Sequence, residues 1–174
     1  MRINRVIICT LILILVENAI IPWIIPSQWS DRLFIHFSFI MTIFIAGFDG
    51  RHRAFIFGLG FGILQDILFY GHLIGPYGFG MGLLGYLIGL VVERKMFTLG
   101  FFVWLVLMGG MLLDTIVYLI YMLFQLTKLN YQYVFFWQIA PTTLLQLIVA
   151  LAIYVPVRRL LVKATISTND DSSD

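Results

Sequence analysis

Charged residues are scarce in this sequence: Asp, Glu, Lys and Arg make up 11% of the 174 residues, whereas hydrophobic residues make up 61%. The mean hydropathy is +0.98. A soluble domain of this length needs a polar surface, which this composition cannot supply. Several apolar runs instead approach the ~20 residues that an α-helix needs to cross a bilayer. The composition therefore predicts an all-α polytopic membrane protein.

Cysteine and histidine are also rare. The single cysteine, Cys9, lies within an apolar run, which excludes a disulfide framework and a cysteine-rich metal site. The three histidines, His36, His52 and His72, are dispersed along the chain and form no metal-binding motif. We interpret His36 as a hydrogen-bonded histidine of the core. No metal and no cofactor are expected.

Recognisable catalytic motifs are absent from the sequence. It contains no HExxH, no GxSxG and no GxxxxGK[ST]. Asp66 and Asp114 suggest an intramembrane aspartyl protease, but such enzymes carry a GxGD pattern. Here Asp66 follows Gly62 by four residues, and no GxGD occurs. The sequence therefore predicts a protein that is not an enzyme.

The apolar runs predict six membrane spans. The first begins after MRINR, and we interpret it as a retained helix because no small-residue cleavage site follows it. Residues 1–160 are predicted to form one transmembrane domain, and residues 161–174 a cytoplasmic tail that is disordered at its end. The predicted spans cover residues 6–21, 33–48, 54–70, 79–92, 97–124 and 138–156.

The basic residues predict the orientation. With six spans and both termini in the cytoplasm, only Arg32 and Lys128 lie outside, which is a strong positive-inside asymmetry. Three of the four tryptophans then lie at the outer interface, where aromatic residues are common. The other nine basic residues lie inside: Arg2, Arg5, Arg51, Arg53, Arg94, Lys95, Arg158, Arg159 and Lys163.

Glycine is abundant in one stretch: residues 54–95 hold ten of the fifteen glycines. Their helical spacing places small residues on one face of each of two consecutive helices. Such faces let two helix backbones approach closely within a membrane. This stretch is therefore predicted to form a tightly packed helical hairpin. Its packing glycines are Gly58 and Gly62 on the first helix, and Gly78, Gly82, Gly85 and Gly89 on the second.

Three carboxylates, Glu17, Asp66 and Asp114, fall within the predicted spans, all in the outer half of the membrane. A carboxylate in hydrocarbon is costly unless it meets water, a hydrogen-bond donor or a partner, so each is a candidate functional residue. Further polar residues lie at helical spacing in the same spans and could line a common groove. The residues predicted to bind a partner or line this groove are Glu17, Gln65, Asp66, Asp114, Tyr118 and Gln146.

The run GLGFGILQDILFYGHLIGPYGFGMGLLGYLIGLVVER, residues 58–94, resembles the signature region of the MreD family of rod-shape-determining proteins. That region has a glycine-rich helix ending in Gln–Asp, a turn with glycine and a second small-residue helix. The resemblance implies a non-enzymatic scaffold of the cell-elongation machinery in the bacterial cell membrane, controlling rod shape and lateral peptidoglycan synthesis. It also implies a bitopic partner, MreC, and links through it or directly to MreB, RodA and the transpeptidase that works with RodA.

MreD-like proteins are similar in fold to the substrate-binding subunits of energy-coupling-factor transporters, which raises an alternative function. In that case, the chain would bind a small vitamin-like molecule. Span one reads VIICTLILILVENAII and lacks the AxxxA pattern that would dock an energising module, which favours the scaffold. The sequence is compatible with more than one partner-binding face, with a homodimer, and with a lipid or small molecule in the groove. No nucleic-acid partner is expected.

Overall fold

A computed structural model describes the backbone of residues 2–24, 36–69, 73–93 and 98–170, and the side chains of residues 6–17, 36–68, 73–93 and 98–155. These ranges contain helices and no strand, which confirms the prediction of an all-α chain for the part described. The helices are α1 (Arg2–Ile24), α2 (Phe37–Phe48), α3 (Arg51–Phe69), α4 (Pro76–Val92), α5 (Leu99–Leu123), α6 (Tyr131–Val134) and α7 (Ala140–Asp170), with a π-helical turn (Phe135–Ile139) joining the last two.

Two helical segments in the described ranges are long and apolar enough to cross a bilayer, Leu99–Leu123 and Tyr131–Val155. Shorter apolar helices cover Val6–Glu17, Phe37–Phe48 and Pro76–Val92. Large apolar side chains point outwards along α5 and α7, including Trp104, Leu112 and Ile148. An apolar surface of this extent is typical of a protein that faces lipid rather than water.

Helix α2 lies at the centre of the bundle. Every residue from Phe37 to Ala46 is buried, so the helix has no solvent- or lipid-facing side. It contacts α1, α3, α4, α5 and α7. The ring of Phe44 packs against Phe102 of α5 and Tyr154 of α7, with centroids 4.7 and 5.9 Å apart. Because of this position, a polar residue at the start of α2 can reach several helices at once.

Helices α3 and α4 form a hairpin whose backbones touch. A Cβ atom added to Gly62 would lie 2.6 Å from the Cα atom of Gly78 and 2.6 Å from the carbonyl oxygen of Tyr77. Such distances leave no room for any side chain at Gly62. The hairpin therefore depends on glycine at its closest crossing, as expected for helices that pack without a hydrophobic driving force.

The other glycines of the hairpin differ in how tightly they are enclosed. Added Cβ atoms at Gly58, Gly85 and Gly89 would come within 2.4–2.8 Å of atoms that include the backbone of the facing helix. At Gly78, the nearest atom at 2.6 Å belongs to the side chain of Ile63. At Gly82 it lies 3.2 Å away. Substitution is therefore expected to be most disruptive where the facing atoms are backbone.

Several helix ends differ from those predicted. Helix α4 begins at Pro76 rather than residue 79, because proline fits the first position of a helix and lacks the N–H that would be left unbonded there. Helix α1 continues past Pro22, which helices within membranes tolerate. Residues up to 137 were expected to form a loop, but α6 begins at Tyr131, where the Asn130 side chain accepts a hydrogen bond from the Gln132 N–H. Helix α7 extends to Asp170.

Candidate functional site

Asp66 lies on α3 and its side chain is fully buried against the first turn of α4. Its Oδ2 atom accepts hydrogen bonds from the backbone N–H groups of Gly75 and Gly78, each at 3.0 Å. Its Oδ1 atom accepts one from the N–H of Tyr77 at 3.2 Å. Asp66 thus caps a neighbouring helix with three hydrogen bonds.

The local sequence of α4 explains why this cap comes from another helix. The first N–H groups of a helix have no partner within it, and a side chain at the N-cap position usually satisfies some of them. Here the N-cap residue is Gly75, with φ +130°, and it has no side chain that could accept a hydrogen bond from these N–H groups. Pro76 brings no N–H of its own. A carboxylate also suits the partial positive charge at a helix N-terminus.

His36, directly before α2, is the centre of a second group of polar contacts. Its Nδ1 atom lies 2.7 Å from Nε2 of Gln65, and Oε1 of Gln65 accepts a hydrogen bond from the Ser38 hydroxyl at 2.6 Å. Because that oxygen is engaged by Ser38, the Gln65 amide N–H₂ faces the ring and Nδ1 accepts from it.

The Nε2 atom of His36 points towards Asp114 of α5. It lies 3.4 Å from Oδ1 of Asp114, within range for electrostatic attraction, although the hydrogen-bond geometry is not met. The other oxygen of Asp114, Oδ2, is buried without a hydrogen-bond partner among the described residues. His36 therefore links Gln65 on α3 to Asp114 on α5.

Glu17 of α1 is buried near the start of α2. Its side chain is 4% exposed, and its electrostatic neighbours are His36 and the backbone of Phe37. Within the described part of the chain, its Oε2 atom has no hydrogen-bond partner. We refer to Glu17, His36, Ser38, Gln65 and Asp114 as the polar cluster.

Two of the residues predicted for a groove lie apart from the polar cluster. The Tyr118 hydroxyl donates a hydrogen bond to the carbonyl of Leu129 at 2.8 Å and so holds the segment that leads to α6. Gln146 of α7 is fully buried beside Gly110, and its amide forms no hydrogen bond with any described residue. Both lie on faces that the sequence predicted to be polar, but neither bonds to the polar cluster.

The cluster is suited to hydrogen bonding. No group of three or more His, Cys, Asp or Glu side chains in the described ranges is arranged to hold a metal ion. Sequence reasoning interpreted His36 as a hydrogen-bonded core histidine, but it missed the link that His36 forms between Gln65 and Asp114 and the hydrogen bond from Ser38 to Gln65. The available signal was that these two polar residues begin a helix that is otherwise almost wholly apolar, FSFIMTIFIAGF.

The sequence of the chain matches one family of known proteins. A family model described as rod shape-determining protein MreD matches residues 1–164 of the chain. No curated protein and no solved structure matches it. The matched region includes the polar cluster, Asp66 and the glycine contacts of α3 and α4. The chain therefore belongs to the MreD family of rod-shape-determining proteins, which are structural membrane proteins of bacteria.

Proposed function

We propose that this protein is a non-enzymatic scaffold of the cell-elongation machinery and binds the transmembrane helix of an MreC-like bitopic protein. The observation that carries this proposal is the family match over residues 1–164. Through this partner or directly, the scaffold would be linked to MreB and to RodA with its transpeptidase. Its role would be to hold these proteins together at sites of lateral peptidoglycan synthesis. The similarity in fold to energy-coupling-factor subunits remains a prediction, and we propose no transport function.

The polar cluster supports the proposed partner contact. Glu17 and Asp114 each have one buried oxygen without a hydrogen-bond partner among the described residues. An unsatisfied acceptor in an apolar interior is costly, and an N–H or O–H group from a partner helix would remove that cost. Asp66 was also predicted to bind a partner, but its three intramolecular hydrogen bonds support a role in the fold. We therefore propose the partner contact at Glu17 and Asp114, which a partner helix can reach only where the helices that bury these oxygens separate.

Glu17→Gln and Asp114→Asn are expected to weaken recovery of the partner roughly three- to fifteen-fold, the range for one hydrogen bond between membrane helices. Abundance in the membrane should stay close to normal, because neither substitution changes the size of the side chain. The measurement is co-purification with the MreC-like protein after mild detergent extraction, together with cell shape. Glu93→Gln is the matched control, since Glu93 lies near the other end of the hairpin and is exposed. Normal partner recovery and rod shape in both variants would contradict this assignment.

Six membrane spans with both termini in the cytoplasm are part of the same proposal. Single cysteines at Ile74 and Lys128 should react with an impermeant thiol reagent in intact cells, whereas those at His52 and Ser167 should not. Cys9 is first replaced by alanine. Ile74, Lys128 and His52 are exposed, whereas Gly50 and Gly75 are avoided because both have positive φ angles. Labelling of the cysteine at position 52 from outside would reverse the proposed orientation.

A further inference from the structure

A cleft of about 470 Å³ lies between α1 and α3, beside the end of α2. Its walls are apolar and include Val6 and Leu11 of α1 and Ile56, Phe61 and Leu64 of α3. The rings of Phe57 and Phe61 pack together along it, with centroids 4.3 Å apart. At Gly60 the wall has no side chain, and an added Cβ would meet nothing within 4 Å. The cleft is thus an apolar space that the described part of the chain leaves unfilled.

One end of the cleft is polar and carries Arg53. The Arg53 side chain is 60% exposed, and its Nη1 atom lies 3.6 Å from Oδ1 of the buried Asp49. This contact holds the guanidinium at the cleft while leaving most of its five N–H donors free for another acceptor. Helix α1 lines the cleft from Val6 onwards, and the exposed Arg53 guanidinium supplies the hydrogen-bond donors at the polar end.

The length of the cleft matches one leaflet of a bilayer. Arg53 and Leu64 are eleven residues apart on α3, which corresponds to about 16 Å of helix. Half of a hydrocarbon core of ~30 Å is ~15 Å. The length of the cleft therefore matches one acyl chain better than a helix that spans the whole bilayer.

We propose that the cleft between α1 and α3 binds an anionic phospholipid, with one acyl chain along Gly60 and the phosphate at Arg53. Guanidinium groups bind phosphate oxygens through charge-assisted, often paired hydrogen bonds. Basic pockets between transmembrane helices on the cytoplasmic side are known to bind anionic headgroups. The proposal concerns a surface separate from the polar cluster. It does not depend on the partner contact proposed above.

The acyl-chain part of the proposal is tested by filling the cleft. Gly60→Leu adds a side chain to the cleft at a position where a Cβ atom meets nothing within 4 Å. Gly100→Leu is the matched control because Gly100 is equally open but lies on α5. The purified protein is incubated with equimolar phosphatidylglycerol and phosphatidylcholine, and the lipid it retains is measured by native mass spectrometry. We expect Gly60→Leu to lower retention of both lipids roughly tenfold. Gly100→Leu should match the wild type.

Ile56→Phe provides a second variant that narrows the cleft, since Ile56 lines it and is 69% exposed. Unchanged lipid retention in either Gly60→Leu or Ile56→Phe would overturn the proposal. Loss of the MreC-like partner with unchanged lipid retention would also overturn it and would assign the cleft to the partner helix.

The headgroup part is tested with Arg53→Gln. Removing one basic residue near the membrane surface should lower the preference for phosphatidylglycerol over phosphatidylcholine about fivefold. Lys128→Gln removes a positive charge outside the cleft, in the segment between α5 and α6, and should leave the preference unchanged. Equal retention of the two lipids by the wild type, or an unchanged preference in Arg53→Gln, would overturn the assignment of an anionic lipid.

Discussion

Asp66→Ala is expected to destabilise the protein by on the order of 3 kcal/mol and to reduce its accumulation in the membrane. The substitution leaves the N–H groups of Gly75, Tyr77 and Gly78 without their acceptor at the buried start of α4. Unsatisfied N–H groups are costly where water cannot replace the carboxylate, and Tyr77 and Gly78 are both buried. For chains of 150–250 residues, this loss corresponds to a fall in Tm of roughly 6–12 °C. The measurement is thermal unfolding of the purified protein, with a quantitative blot of the membrane fraction.

Asp66→Asn should be nearly as harmful as Asp66→Ala. It keeps one acceptor oxygen, but its amide N–H₂ group would face backbone donors. Asp114→Asn is the matched control, because Asp114 is also largely buried and no backbone N–H group of the described residues donates to it. A normal Tm and abundance in Asp66→Ala, with loss of the partner, would instead uphold the partner role that the sequence predicted for Asp66.

Gly62→Ala is expected to lower stability by about 1–3 kcal/mol, and Gly62→Leu by more. Even the single methyl group of alanine would lie 2.6 Å from both the Gly78 Cα atom and the Tyr77 carbonyl oxygen. These facing atoms are backbone, so the clash is relieved only by moving α4 away from α3. That movement would also lengthen the hydrogen bonds from Tyr77 and Gly78 to Asp66. The measurement is the Tm of the purified variants and their accumulation in cells.

Gly60→Ala is the matched control for Gly62→Ala. It lies two residues earlier on the same helix, and an added Cβ there meets nothing within 4 Å. Alanine has a higher helix propensity than glycine, so Gly60→Ala should be neutral or slightly stabilising. Equal Tm values for Gly62→Leu and the wild type would show that α3 and α4 do not meet at Gly62.

Asp66 and Gly62 both contact Gly78. We therefore expect that the effects of substituting them on the free energy of unfolding are not additive. Gly78 is both the closest neighbour of Gly62 and a donor to Asp66. Substitutions that disturb one shared contact usually differ in combination from the sum of their separate effects, by about 0.5–3 kcal/mol. The turn between α3 and α4 is therefore one cooperative unit, in which close approach and helix capping depend on each other.

The sequence alone predicted the class of this protein, because the class depends on the overall composition and on hydropathy averaged over long stretches of the chain. Few charges and long apolar runs exclude a soluble domain, wherever the individual side chains point. The family was likewise recognisable from residues 58–94 and is established by the match over residues 1–164. The spacing of the glycines also predicted which helix faces are small, because α-helical periodicity is a local property.

The positions of the helix ends were harder to predict from the sequence. The start of α4 at Pro76 follows from the Gly75–Pro76 pair, a signal that the hydropathy pattern hid, because Tyr77 and Gly78 continue the apolar run without a break. The short helix α6 was obscured in the same way by a segment rich in aromatic residues. Hydropathy marks where a chain is apolar, whereas capping decides where a helix begins.

Only the tertiary structure decided what the buried polar groups contact. The sequence placed Asp66 at an apolar depth and required that it meet a donor, but the donors are backbone N–H groups, which every residue except proline carries and no side-chain pattern reveals. The link from Gln65 through His36 to Asp114 joins residues that lie at least 29 positions apart in the chain. Periodicity along one helix determines which side chains share a face; the packing of the helices determines which faces meet.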